Sequence, residues 1–288
     1  MNELPVTLRQ MQLSDVKAGM RLSTAEGWNQ TEKDWKFLIA NSQNICLAAE
    51  ADDKVVGTTT ATNYANQLAW IGMVLVDKNY RGKGISKMLL ENVLEKLKQC
   101  RSIKLDATSA GREVYKKFGF KDEYLVTRTT CLSIKNSFIV DDKNVFAESI
   151  LSKDIKAITE FDEIVFGANR TKLIEYFTVE YFHKAWLLKR DNKLTAFALG
   201  REGNKFHHIG PVMGETIDDV KILISKTLKE ITDQPVVVDI LNDKIELINW
   251  LQSLGFTRQR EFVRMYKNEN PFPGLTEKYF LICGPEFG

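Results

Sequence analysis

Residues 69–76 are almost wholly apolar and rich in β-formers. They run into a glycine-rich basic loop, and Ile85, Met88, Leu89, Val93, Leu94 and Leu97 then recur at helical spacing. An apolar strand without alternation must be covered on both faces. A strand, a loop and an amphipathic helix in direct succession therefore demand a sheet with helices packed on it, an α/β arrangement.

The flanking sequence extends that pattern. Residues 6–9, 45–50, 55–64, 102–106 and 123–133 read as strands, with a turn at Ala51-Asp52-Asp53-Lys54. Residues 13–22, with Ser14 as N-cap, 32–39 and 112–118 read as helices, the last ended by Gly119. A polar stretch at 135–143 is the best linker. Beyond it come helices at 153–165 and 218–231, strands at 185–189, 194–201, 206–212 and 236–241, and a closing helix and strand at 246–256 and 259–266. Both halves end on helix, Gly-Phe, strand: REVYKKFGF at 112–120 and ELINWLQSLGF at 246–256. The expectation is a duplicated fold, with domains at 1–135 and 136–288.

Composition narrows the function. Forty Lys and Arg against 38 Asp and Glu argue against a dedicated nucleic-acid binder. The four cysteines form no CxxC pair and only three histidines are present, so no metal-ligand spacing arises and the cysteines read as free thiols. No signal-peptide layout and no membrane-spanning apolar run is seen, and a cytoplasmic protein is expected.

The loop carries the chemistry. Unpaired amides at the start of a helix, with the positive end of its dipole, favour a bound anion. Gly82 and Gly84 let the backbone approach phosphate oxygens, and Arg81, Lys83 and Lys87 add positive charge. A pyrophosphate is the natural ligand. No Walker A string occurs. A dinucleotide fingerprint lacks its third glycine, where Lys87 stands, although Asp106 sits at the spacing of a ribose-binding acid. A nicotinamide-dependent enzyme thus stays open as an alternative.

Arg81-x-x-Gly84-x-Ser86 resembles the acyl-CoA loop of the GCN5-related N-acetyltransferase family. Tyr115-Lys-Lys-Phe118-Gly119-Phe120 resembles that family's second landmark, and Thr108 stands where many members have Asn seven residues before the Tyr. Glu26-Gly-Trp28-Asn29, Phe166-Gly-Ala-Asn-Arg170, Ile209-Gly-Pro211 and Arg264-Met-Tyr266 are similar to stretches of a bacterial subgroup with tandem acetyltransferase domains. The resemblance implies two mixed, mostly antiparallel sheets flanked by helices, the second copy divergent and lacking a cofactor loop. Glu215, near the second long helix, would repel a pyrophosphate.

It also implies acetyl transfer from acetyl-CoA to a primary amine of a small molecule by direct attack. Val74, Leu75 and Val76 would line the pantetheine arm, with one strand N–H stabilising the oxyanion. Arg81, Gly82, Lys83, Gly84, Ile85, Ser86 and Lys87 would hold the pyrophosphate, and Thr108 would touch the cofactor. Tyr115 is the candidate general acid, Glu26 or Asp106 the base, and Trp28 and Asn29 the acceptor pocket. Structural readings compete: Tyr115 and Trp28 as core aromatics, Glu26 and Asp106 as helix-end or loop carboxylates, His207-His208 as a solvated or strand-edge pair. Arg170 either borders the acceptor or forms a surface salt bridge. A non-catalytic acyl-CoA sensor is the other alternative. The second half is open as an acceptor wall, a homodimer contact or a second ligand site.

Overall fold

The computed structural model describes residues 5–134, 147–231 and 234–288. The expected linker at 135–143 lies outside the described residues.

The first half runs β1 (Thr7–Gln10), α1 (Val16–Ala25), α2 (Glu32–Ala40), β2 (Ile45–Ala51), β3 (Lys54–Tyr64), β4 (Leu68–Val76), α3 (Ile85–Lys96), β5 (Ser102–Ala107), α4 (Ser109–Lys117) and β6 (Lys121–Cys131). The second runs β7 (Glu148–Ser149), α5 (Ile155–Phe166), α6 (Thr171–Glu180), β8 (Trp186–Arg190), β9 (Lys193–Arg201), β10 (His207–Gly214), α7 (Ile217–Glu230), β11 (Val236–Leu241), α8 (Ile245–Ser253), β12 (Thr257–Asn268) and β13 (Tyr279–Leu281). Ser14 does not cap α1. A short 3-10 turn at Leu13–Asp15 precedes it, and Asp15 accepts the Gln12 N–H instead. Helix α6 escaped the sequence reading, although Leu173, Ile174 and Phe177 point into the core at helical spacing.

Among the described residues the strands form one sheet of 13, ordered β1-β2-β3-β4-β5-β12-β6-β11-β13-β10-β9-β8-β7. Only β4–β5 and β10–β11 pair in parallel; the other neighbours are antiparallel. The halves exchange strands at the centre. Strand β12 of the second half lies between β5 and β6 of the first, while β6 pairs with β11. Helices α1, α2, α5 and α6 share one core cluster, built around Trp35, Trp70, Phe166, Phe177 and Phe287. Helices α3 and α4 pack over the first half in a second cluster, and α7 and α8 over the second half in a third. No helix among the described residues is long and apolar enough to cross a membrane.

The parallel pairs come apart. β4 bonds β5 only at Leu68–Trp70, opposite Ser102–Lys104. Just beyond, the β3–β4 register shifts and Met73 takes φ +52°, a bulge that bends β4 away. In the second half β10 and β11 pair over His207–Ile209, and the register of β10 with β9 then shifts. There the opening is filled: β13 enters it, bonding β10 at Val212 and Met213 and β11 at Ile240. Among the described residues no strand enters between β4 and β5.

Candidate active site

The gap between β4 and β5 is the floor of a cleft of about 700 Å³. Val74, Leu75 and Val76 form one wall, and Thr108 and Tyr115 the other. One end is closed by Arg81, Gly82, Gly84, Ile85, Ser86 and Lys87, the other by Trp28, Gln30, Arg128, Arg260 and Phe262.

The loop between β4 and α3 has the geometry of an anion cradle. Gly84 is the N-cap, left-handed at φ +76°, and carries no capping side chain. The first intrahelical bond runs from Met88 N–H to Gly84 O, so the amides of Ile85, Ser86 and Lys87 lie in the free N-terminal turn. Gly82 also has φ +76°, and a Cβ at either glycine would meet nothing within 4 Å. Amides without an intrahelical acceptor, open space and a helix dipole suit a diphosphate. Arg81 donates through Nε to Val76 O at 3.3 Å, which ties the cradle to the strand. Lys83 points elsewhere: its Nζ lies 5.0 Å above the Tyr80 ring and it does not line the cleft.

Tyr115 lies on α4, its ring against Phe120 and close over Gly111. Burial pushes its hydroxyl up to about 12, so it is a protonated phenol at neutral pH. Thr108 caps α4 by accepting the Gly111 N–H at 3.2 Å while lining the cleft.

The two expected bases are engaged by arginines. Asp106 receives Arg264 Nε and Nη2, both at 2.9 Å, and both side chains are buried. Burial pushes the Asp106 carboxyl up, and Arg264 opposes that. Arg264 also donates to Tyr124 Oη at 2.6 Å and lies 4.4 Å from the Trp70 ring centre. The ion pair joins β5 to β12. Glu26, at the cleft rim, accepts Arg81 Nη2 at 2.5 Å.

Trp28 is half-buried and lines the cleft. Asn29 does not line the cleft. Its amide donates to Phe206 O and its oxygen accepts the N–H groups of Lys205 and Phe206, all at 2.9 Å. Asn29 therefore clamps the α1–α2 connection to the second half. Arg170 is no surface salt bridge: it is buried with Asp162, bonded at 2.6 and 3.0 Å, and 3.7 Å from the Phe166 ring centre. Nor is His207-His208 a solvated or edge pair. Strand β10 is internal, and His208 is buried, with Nε2 3.4 Å from Asp239 Oδ2. Burial first, then Arg201 and Arg128, push its pKa well below 6.5.

Sequence reasoning missed Gln30, Arg128, Arg260, Phe262, Pro285 and Glu286. Pro285 and Glu286 belong to the segment 283–288, which runs beneath β4. Trp70 Nε1 donates to Pro285 O at 2.9 Å, and a Cβ on Gly72 would meet the Glu286 backbone at 3.0 Å. Glu286 is held by Arg201. Only the alternation Arg260-x-Phe262-x-Arg264, two arginines on one strand face, carried a signal for any of them.

A splayed parallel strand pair, a bulge beside it and an anion cradle at a helix start define an acyl-CoA-dependent acyltransferase. The description Acetyltransferase (GNAT) family matches residues 14–120, and Acetyltransferase (GNAT) domain matches residues 158–281. The chain belongs to the GCN5-related N-acetyltransferase family, with two such domains and acetyl-CoA as co-substrate. It is 26% identical to a holothin acyltransferase of a Pseudoalteromonas strain, over 92% of this chain and 88% of that one. It is 25% identical to an uncharacterized N-acetyltransferase of Bacillus subtilis, over 84% of each. In fold it is similar to a putative acetyltransferase of Pyrococcus horikoshii (TM-score 0.83, 21% identity, 100% and 97% of the two chains). It is similar also to a tandem GNAT protein from the clavulanic acid biosynthesis pathway (TM-score 0.65, 10% identity, 93% and 99%).

Proposed function

We propose that the protein transfers the acetyl group of acetyl-CoA to a primary amine of a small molecule, by direct attack, in the first half alone. The observation that carries this reading is the open β4–β5 cleft, which is lined by the Gly82–Gly84 cradle and by Trp28 and Gln30 together. The amides of Ile85, Ser86 and Lys87, with Arg81, hold the pyrophosphate. The bent stretch Val74–Val76 lies along the pantetheine arm and offers a backbone N–H to the thioester oxygen. Tyr115 gives its phenolic proton to the sulfur as the C–S bond breaks, and the attacking nitrogen supplies the proton that restores it. The counterpart gap in the second half is filled by β13, and Glu215 beside it pairs with Lys278, which supports a second half without an acetyl-CoA site. The domains at 1–135 and 136–288 thus divide the work: one binds the cofactor, the other completes the sheet and the acceptor wall.

Calorimetric titration with acetyl-CoA, beside an Arg81→Ala, Gly84→Glu double variant and an NAD control, tests the reading. One site per chain, lost in the variant, is the expected result, followed by CoA release with an amine panel. Two sites would show that β13 does not close the second half. Binding of NAD instead, or no acetyl-CoA binding, would end the proposal.

A further inference from the structure

The charges lining the cleft are almost all matched. Glu26 faces Arg81, Asp106 faces Arg264, Glu286 faces Arg201, Arg128 faces Asp239, and Lys87 has Glu91 at 3.7 Å. Among the described residues Arg260 alone of these has no ion pair and no hydrogen-bond acceptor, although it is half-buried and lines the acceptor end. A half-buried guanidinium with five unanswered donors calls for an anion.

Its position fixes which ligand that anion belongs to. On β12, Val263 and Met265 pack with α3 and α4, on the side of the anion cradle. Phe262 packs in the cluster shared by α1 and α2. No register shift falls between Arg260 and Arg264, so alternation puts Arg260 on the Phe262 face, away from the cradle. Arg260 stands opposite Arg128 across the β12–β6 ladder, and Arg128 is fixed by Asp239 through two bonds of 2.7 Å. Two cations stand side by side there, and only Arg128 is bonded to a carboxylate; Asp239 reaches Arg260 through its charge alone. Burial, then the Arg128 charge, lower the Arg260 pKa, and the Asp239 charge opposes them. Gln30, buried with its Oε1 unpartnered, adds a polar contact in the same pocket.

From this we infer that the acceptor is an amine that also carries an anionic group, a carboxylate or a phosphate, which Arg260 binds while the amine points to the thioester. The inference rests on the acetyltransferase reading above and names the substrate class of that same site. Arg260 acts here as a binding and specificity residue, and its fork geometry suits either anion bidentately.

The test is a matched panel: α-, β- and γ-amino acids, their carboxamides, their decarboxylated amines and the corresponding aminophosphonates. CoA release is followed, and binding of the N-acetylated forms to the CoA-saturated protein is measured by calorimetry. Acids or phosphonates should be preferred over their uncharged counterparts by on the order of 10- to 100-fold, as for a hydrogen bond to a charged group. The separate acid and phosphonate arms tell the two anions apart. Arg260→Gln should abolish the preference through the acceptor KM and leave acetyl-CoA affinity unchanged, and Arg260→Lys should restore part of it. Uncharged amines that turn over or bind as well as the acids would overturn the inference, as would a panel on which no anionic member turns over or binds. Arg260→Gln weakening acetyl-CoA instead would also overturn it, because Arg260 would then be a cofactor contact. Acetyl-CoA binding by the unaltered protein in the same titrations separates failure of this inference from failure of the acetyltransferase reading.

Discussion

Arg81 Nη2 donates to Glu26 Oε1 at 2.5 Å, so the arginine of the anion cradle is held by a carboxylate from the α1–α2 connection. Both side chains are partly exposed, so the pair itself contributes little to stability. Its effect falls on the ligand, because a diphosphate approaching Arg81 meets Glu26 as a competitor. Glu26→Gln should tighten acetyl-CoA binding by at most about fivefold, the weight of an exposed ion pair. Calorimetry at two salt concentrations reads this. A large loss of kcat with an altered pH profile would instead restore Glu26 as the base.

Tyr115 is a phenol whose hydroxyl burial pushes up to about 12. As general acid it should cost about 100-fold in kcat when replaced by Phe, with acetyl-CoA affinity unchanged. Single-turnover kinetics separate this from a packing role, for which kcat would stay within a factor of about two.

Asp106→Asn tests structure against catalysis. Removing one partner of a buried, bidentate ion pair leaves the Arg264 guanidinium without a counter-ion and should cost about 3–5 kcal/mol of stability. Chemical denaturation of the variant measures this. An undiminished midpoint with activity lost at neutral pH would make Asp106 the base.

His208 gives the acid limb of stability. Its pKa is pressed well below 6.5 in the folded chain, so below that pH the unfolded state binds more protons. Stability therefore falls as pH drops through the region below 6.5, and it is fully present above it. Asp239 lies within reach of the ring but is already held by both bonds from Arg128, so it does not draw a proton onto the imidazole. Melting temperatures from pH 8 to 5 should fall at the acid end, and His208→Gln should flatten that fall.

How far the sequence was legible follows from how local each feature is. The cradle residues Arg81–Lys87 are contiguous, and strand, glycines and helix all speak within the single stretch 69–97. Tyr115 follows from its own helix and the Gly119 stop. The far end of the cleft does not work this way: Trp28, Arg128 and Arg260 meet only because β6 and β12 change places, and strand order leaves no mark on local periodicity. β13 is three residues long, too short to show a period, yet it decides that the second gap is filled. Asn29 misled because its neighbours Trp28 and Gln30 do line the cleft; its own amide turns to the loop 204–206.

The exchange of β6 and β12 bears on whether the halves can live apart. Strand β12 bonds β5 along Ser102–Ala107 on one side and β6 along Lys121–Thr130 on the other. A fragment of residues 1–135 keeps β5 and β6 but loses the strand between them, and both then present open edges. It also loses Phe262 and the 283–288 segment from the core around Trp70. The fragment should therefore lack a cooperative thermal transition and should not bind acetyl-CoA. Mixing it with residues 136–288 during refolding should restore both properties, because each piece carries the strand the other is missing. A monomeric 1–135 fragment that melts cooperatively and binds acetyl-CoA would mean that the first half can close β5 on β6 by itself.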